Sequence, residues 1–493
     1  MDERSGGCSD GDSLTRDQTL LLRQKYISGT CQLHFGRSPL KVVRSSGPYL
    51  YDDDGFRYID CSSRVNNVGH CHPATVAAAA SQMATLTSPL AEPGVMPAEG
   101  IEERYCQRLL ETLPPNFQTC LFTSSGAEAN DLALQLAKMY TKRRDVVVID
   151  GSFHGAVNSL LEISPKAFKN LHTEKKPWVH VIPCPDRYRG SYNDASTAAE
   201  KYFIDAKNVI DKAVQNSGPI ACFISEPVFV VYGVVVPPTG WLAKIYSYIH
   251  ENGGLIIADE IQTGMGRSGS HYWAFQALGV VPDIITIGKP IGNGHPFAAV
   301  ITSHKIASCL KANYRCGPVA ATIGLSVLCV IEEEHLLHNA TMTGKLLKEE
   351  LLTLKKKHKH IGDVRGIGLM IGVDIVWCQT TKKPAPEIAE KISYRLKDEF
   401  VIIANEGEHG NILVLMPPLC LSVDDVSYIV SKLDKILTEV EVVDSHAIYS
   451  ILSNSLPDST QAEYGMRWPE DQLESDNEDS SGSSISNHYD SMD

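Results

Sequence analysis

At 493 residues the chain is longer than one simple core needs, and with 43% hydrophobic residues it can build a large folded domain with a smaller one beside it. A net charge of −14 argues against nucleic acid or an acidic membrane as partner, since both are bound by basic surfaces. The 13 cysteines form no CxxC pair, the acidic N-terminus MDERSGGCSDGDS leads into no apolar signal region, and no apolar run has the length of a membrane span. The expectation is an intracellular protein with free thiols, cytoplasmic in preference to the mitochondrial matrix.

Taken in order, residues 1–18 read as disordered, and residues 19–72 as an arm with a short helix over Thr19 to Tyr26 followed by a small antiparallel meander. The meander, Leu40 to Cys61, alternates strands around a Gly47-Pro48 turn and an Asp54-Gly55 turn. In His70-Cys71-His72 the potential metal ligands are adjacent rather than spaced to converge, and Pro73 marks a helix start, so no metal is expected there. From Pro73 to Thr302, helical stretches alternate with apolar strands at 119–123, 145–150, 178–183, 220–227, 255–259, 283–288 and 298–302. This pattern predicts an α/β fold with a seven-stranded, mainly parallel, doubly wound sheet, whose ligand site lies at the carboxyl ends of the strands.

Val319 to Glu334 reads as a long helix, and residues 340–440 as a smaller α+β unit with strands around Gly368–Asp374 and Ile412–Leu415. The expected division is a large domain over 73–325 and a small domain over 326–440 completed by the N-terminal segment. Residues 441–493 form an extension, and from Glu470 onward it is rich in acids and serine with no Lys or Arg, the composition of a disordered tail.

The chemistry concentrates between Leu255 and Pro296. The apolar run Leu255–Ala258 reads as a buried strand that ends in Asp259 and Glu260, and the strand Asp283–Ile287 delivers Gly288 and then Lys289 into a Gly/Pro-rich loop. A lysine in a mostly apolar loop can lose its proton and form a Schiff base with an aldehyde, while a buried carboxylate keeps a heteroaromatic nitrogen protonated. Together they describe a pyridoxal phosphate site; the alternative is a loop-capping aspartate and a solvated lysine. Ser125-Gly126-Ala127 follows the strand TCLFT and opens a helix, where backbone N–H groups bind phosphate or, more simply, accept an ordinary cap. Phe153 follows the strand DVVVID, where a flat ring stacks on a cofactor or joins the core. The run Gly264-Met-Gly266-Arg-Ser-Gly269 also fits GxGxxG, but it neither closes a strand directly nor opens a clean helix, so a dinucleotide site is not expected.

The wording IADEIQTGMGR and PDIITIGKPIGNGHP, with FTSSGAEANDLALQLA, Asp150-Gly-Ser-Phe-His-Gly and LEISPKAF, resembles the class III (fold type I) pyridoxal-phosphate aminotransferases over about Thr19 to Val440. The resemblance is greatest to the subgroup containing ethanolamine-phosphate phospho-lyase, 5-phosphohydroxy-L-lysine phospho-lyase and alanine–glyoxylate aminotransferase 2-like proteins. It implies a homodimer with shared sites and a small-molecule amine as substrate. It implies that Gly126 and Ala127, with Ser125 nearby, hold the cofactor phosphate and that Phe153 stacks on the ring. Asp259 would pair with the pyridinium nitrogen, and Gln262 would bond the ring hydroxyl. Lys289 would carry the cofactor and then move the Cα proton.

Four departures from the family pattern surround the substrate and the cofactor phosphate. Asn313-Tyr-Arg-Cys-Gly-Pro318 stands where the subgroup reads NTYGGNP, with Asn313 as the candidate phosphate donor across the interface. Val414 stands where relatives carry a basic residue for the substrate's acidic group, a loss of roughly 2 to 3 kcal/mol of recognition unless Arg64, Arg315 or Arg365 replaces it. Ser63-Arg64 and Asn66-Asn67 replace a run usually reading NNVAH, and Thr87-Ser-Pro-Leu-Ala-Glu-Pro replaces NTNSRFLHD. Two functions follow: a lyase or transaminase using pyridoxal phosphate, or a pseudoenzyme that keeps the fold and serves as a binding or structural homodimer.

Overall fold

The computed structural model describes residues 14–87, 100–171, 174–311 and 314–442. Asn313, the Ser88–Pro93 part of the substituted loop and the acidic extension beyond Val442 lie outside the described residues. The N-terminal helix runs Arg16–Tyr26, three residues earlier than its apolar pattern indicates, because Thr15 and Gln18 form a reciprocal capping box that starts it.

Strands β1 (Val42–Ser46), β2 (Tyr49–Asp52) and β3 (Arg57–Asp60) form the expected antiparallel meander. Pro73 opens the helix Pro73–Thr85. The central sheet follows: β4 (Thr119–Thr123), β5 (Val146–Ile149), β6 (Val179–Ile182), β7 (Cys222–Ser225), β8 (Leu255–Asp259), β9 (Ile284–Ile287) and β10 (Ala298–Thr302). Their order is β4-β10-β9-β8-β7-β5-β6, and all pairings are parallel except those of β10, which runs antiparallel to both β4 and β9. All seven strands read from the sequence are present. Every residue of β5, β7, β8 and β9 is buried, which explains why these strands are unbroken apolar runs rather than alternating ones.

Helix Gly126–Thr141 buries Leu132, Leu134 and Leu136 in the core cluster with Val146, Val148, Ile224 and Ile257. Each such side chain contributes roughly 1.5–3 kcal/mol by leaving water. That packing fixes the start of the helix at Gly126 over the sheet's carboxyl edge. The helix Ala198–Ser217 buries Ala198, Tyr202, Ala206, Ile210 and Ala213, a stripe spaced three or four residues apart.

Beyond the sheet, β11 (Ile361–Ile367), β12 (Met370–Ile375), β14 (Ala404–Glu406) and β15 (Ile412–Leu415) form a second sheet in the order β11-β12-β15-β14. The two-residue β13 (Val401–Ile402) pairs parallel with β3, so the N- and C-terminal segments share one sheet.

Candidate active site

Five loops meet where the strands end. Since β10 is antiparallel to both β4 and β9, the carboxyl end of β4 lies on the same side of the sheet as those of β5, β7, β8 and β9. These ends deliver Ser125, Phe153-His154, Glu226, Asp259 and Lys289 respectively.

Asp259 is 4% exposed and bound on three sides. Its Oδ2 accepts from Asn130 Nδ2 at 2.8 Å and from His154 Nδ1 at 2.7 Å, and its Oδ1 accepts a 3.2 Å bond from the Ile261 N–H. Asn130, fully buried one turn into the helix that begins at Gly126, also donates to the His154 carbonyl at 2.8 Å and accepts from Thr286 Oγ1 at 2.6 Å. Thr286, Asn130, Asp259 and His154 thus form one buried network linking β9, the helix and β8. His154 Nε2 is buried without a partner among the described residues, and Asp259 Oδ1 retains acceptor capacity.

Lys289 follows β9 directly and holds φ at 41°, a left-handed conformation that costs a non-glycine residue about 1–2 kcal/mol and concentrates at functional sites. Burial first, then the like charge of Arg64, holds its amine below the ordinary lysine range against the pull of Asp259, Glu226 and Glu406. Glu226, at the end of β7, is pushed up to about 8 by burial and then by the Asp259 carboxylate. Its Oε2 accepts from the Val231 N–H and its Oε1 from Gln262 Nε2, both at 3.2 Å.

At the helix start, Ser125 Oγ accepts from the Glu128 N–H at 3.2 Å, while the Glu128 carboxylate accepts from the Ser124 N–H at 2.8 Å. No described residue accepts from the N–H groups of Gly126 and Ala127. A Cβ on Gly126 would lie 2.7 Å from Ile261 Cδ1 in the loop after β8, and one on Gly288 would lie 3.3 Å from Gly126 Cα, so the helix start packs closely against both the β8 loop and the turn that leads into Lys289. Phe153 is partly exposed beside His154. A cavity of about 640 Å³ opens beside this helix start, lined by Ser124, Glu128, His295, Tyr314 and Arg315; neither Asp259 nor Lys289 lines it.

The geometry therefore brings together Ser125, Gly126, Ala127, Phe153, Asp259, Gln262 and Lys289 at one edge of the sheet. Sequence reasoning assigned no role to Asn130, His154, Thr286 or Glu226. Asn130 stands four residues after Gly126, and Glu226 closes the buried strand CFIS, so position alone carried a signal for both. His70 and His72 bond Asp60 and Glu334, each at 2.8 Å.

Residues 34–437 match the family model described as aminotransferase class-III. Among curated relatives, the alanine–glyoxylate aminotransferase 2-like protein of Drosophila melanogaster is 38% identical over 87% of this chain and 88% of its own length. Ethanolamine-phosphate phospho-lyase homolog 1 of Caenorhabditis elegans is 37% identical over 87% of this chain and 94% of its own. A solved structure of a phospholyase from Arthrobacter in complex with phosphoethanolamine superposes with a TM-score of 0.80 at 30% identity, covering 85% of this chain and 99% of that one. No helix among the described residues is long and apolar enough to cross a membrane. The chain belongs to the class III aminotransferases, a family that works with pyridoxal phosphate.

Proposed function

We propose that this protein binds pyridoxal phosphate and uses it to eliminate phosphate from a small phosphorylated amine, with amino-group transfer as the alternative outcome of the same chemistry. The observation that carries this reading is the Asp259 site: a buried carboxylate oriented by Asn130 and His154, with acceptor capacity left on Oδ1, on the strand next to the one that ends at Lys289. The residues fit the cofactor in three respects. Asp259 offers a buried carboxylate for a pyridinium N–H, the N–H groups of Gly126 and Ala127 offer a phosphate seat, and the close Gly126–Gly288 approach brings that helix start against the turn that leads into Lys289. Asn313 and the homodimer are proposed from family resemblance.

When bound, pyridoxal phosphate supplies an aldehyde that captures an amine and a ring that takes up the electron pair released at Cα. Asp259 would hold the ring nitrogen's proton, and Asn130 and His154 keep its carboxylate from turning away. Lys289, whose depressed basicity favours the neutral amine, would hold the cofactor's aldehyde and would serve as the base for the proton at Cα. Gln262, whose amide nitrogen donates one N–H to Glu226 and whose oxygen accepts from Arg64, would have its second N–H for the ring hydroxyl.

A second reading is favoured by one observation. Val414 is 1% exposed and packs with Val228, Val230, Val234, Met370, Ile412 and Met416, so apolar atoms fill the place where the family resemblance leads one to expect a cation. A pseudoenzyme would tolerate that change. The test is a visible spectrum of purified wild type and Lys289→Ala, with and without phosphoethanolamine. The lyase reading expects a cofactor band in wild type that changes on addition, with release of phosphate and ammonia, and loss of that band in Lys289→Ala. A band indifferent to every amine supports the pseudoenzyme.

A further inference from the structure

The candidates for a second cation near the site separate by their partners. Arg365 donates to Gly233 O at 2.9 Å, to Asp363 at 3.2 Å and to Asp374 at 3.1 Å, so two carboxylates already hold it. Arg315 is paired to Glu102 at 3.3 Å and lines the cavity from which Lys289 and Asp259 are absent. Arg64 differs from both. Its NH1 donates at 3.3 Å to Oε1 of Gln262, whose amide group donates to Glu226, and its NH2 donates at 2.8 Å to Oε1 of Glu406.

Glu406 links two cations. One oxygen meets Arg64, and the other lies 3.7 Å from Lys166 Nζ, so a single carboxylate sits between a guanidinium and an ammonium. The side chains of Arg64, Glu406 and Lys166 are 17%, 22% and 29% exposed, open enough for a solute to reach and shielded enough that their charges are not fully screened. Glu406 ends the short strand β14 and is followed by Gly407 and Gly410, both with positive φ, so the backbone beside it carries the residues best able to change conformation. Lys169, further along the helix that carries Lys166, is engaged separately with Glu408 at 2.9 Å and Asp150 at 3.5 Å.

We propose that Arg64 and Lys166 form an anion subsite for the phosphate of the substrate, and that Glu406 is its resting occupant, displaced when substrate enters. The assignment rests on the amine-processing reading above and adds to it a specific pair of recognition residues. Two cations facing one carboxylate suit a dianion better than a monoanion, and the planar fork of Arg64 binds two oxygens of a phosphate group at once. The displaced Glu406 is released to water at a partly exposed edge. No covalent step is involved.

The test uses full-length protein saturated with pyridoxal phosphate, titrated calorimetrically with methylphosphonate, at a pH above its second ionisation so that it is a dianion; it has no amine and cannot react with the cofactor. Wild type is compared with Arg64→Ala, Arg64→Lys, Lys166→Ala and Glu406→Gln, with thermal melts to establish that each variant is folded. The proposal expects binding roughly 10- to 100-fold weaker in Arg64→Ala and Lys166→Ala, partial recovery in Arg64→Lys, and tighter binding in Glu406→Gln, where the competing charge is gone. Equal affinity in wild type, Arg64→Ala and Glu406→Gln overturns it, and so does weaker binding in Glu406→Gln, which would make that pair a structural latch. The visible cofactor band, recorded on the same samples, reports separately on the underlying reading: the band can be present while the affinities are indifferent to residue 64, or the reverse.

Discussion

Replacing Asn130 by alanine removes three hydrogen bonds at once from the interior that supports Asp259. Asn130 is fully buried, and the change leaves Thr286 Oγ1 without its acceptor at 2.6 Å and strips one donor each, at 2.8 Å, from the His154 carbonyl and Asp259 Oδ2. A buried polar group left unpaired costs about 1–3 kcal/mol. Asp259 retains His154 Nδ1 and the Ile261 N–H, so its share is the smallest, and the loss in unfolding free energy is expected at roughly 3–5 kcal/mol. Thr286→Val, which removes the hydroxyl and keeps the shape, is expected to cost about 1–2 kcal/mol because Asn130 Oδ1 then loses its donor. In the double variant that penalty is absent. Urea unfolding of the two single variants and the double should therefore show the double less destabilised than the sum by about 1 kcal/mol or more. Additivity within about 0.5 kcal/mol would refute the claim that these side chains form one network.

Two further predictions concern the same edge of the sheet. Glu226 is raised from 4.5 to about 8, so the folded protein binds a proton there that the unfolded chain releases. Its contribution to stability is fully present below 4.5 and is lost as pH rises through about 8, at up to roughly 1.4 kcal/mol per pH unit. Glu226→Gln should flatten this slope in urea titrations of cofactor-free protein between pH 5 and 8, and an unchanged slope would show that Glu226 is not the titrating group. Gly126→Ala places a Cβ 2.7, 3.1 and 3.2 Å from three atoms of Ile261, which is 7% exposed and cannot swing away. The expected cost is about 1–3 kcal/mol of stability together with weaker retention of the cofactor on dialysis; adding Ile261→Val, which deletes the nearest atom, should recover part of both.

How much of this was legible in the sequence follows from which contacts are local. The seven strands were readable because five of them, β5, β7, β8, β9 and β10, are buried along their whole length and all are written as short, mostly apolar runs bounded by turn residues. Asp259 and Lys289 were readable because a charge at the end of such a run has no place in the core. The antiparallel direction of β10 was not readable: its AAVIT is as apolar as the strands of the sheet that pair in parallel, and direction depends on a connection through residues 288–297 rather than on composition. The joining of β13 to β3 was equally hidden, since two residues of pairing across the length of the chain leave no periodic trace.

The sharpest contrast lies among the three arginines. By residue type Arg64, Arg315 and Arg365 were equivalent candidates for the cation that the family resemblance puts at Val414, and their separation comes from their partners: Glu102 for Arg315, the nearby Asp363 and Asp374 for Arg365, Gln262 and Glu406 for Arg64. The carboxylates of Arg365 are each shared with a further cation, Arg189 on Asp374 and Lys355 on Asp363, so that guanidinium sits in a closed network of fixed charges, whereas Arg64 has a single carboxylate, the partly exposed Glu406, for an anion to replace. The same argument applies to Asp259. What distinguishes it from the many carboxylates of an acidic chain is that its partners, Asn130 and His154, leave its second oxygen with room for one more donor.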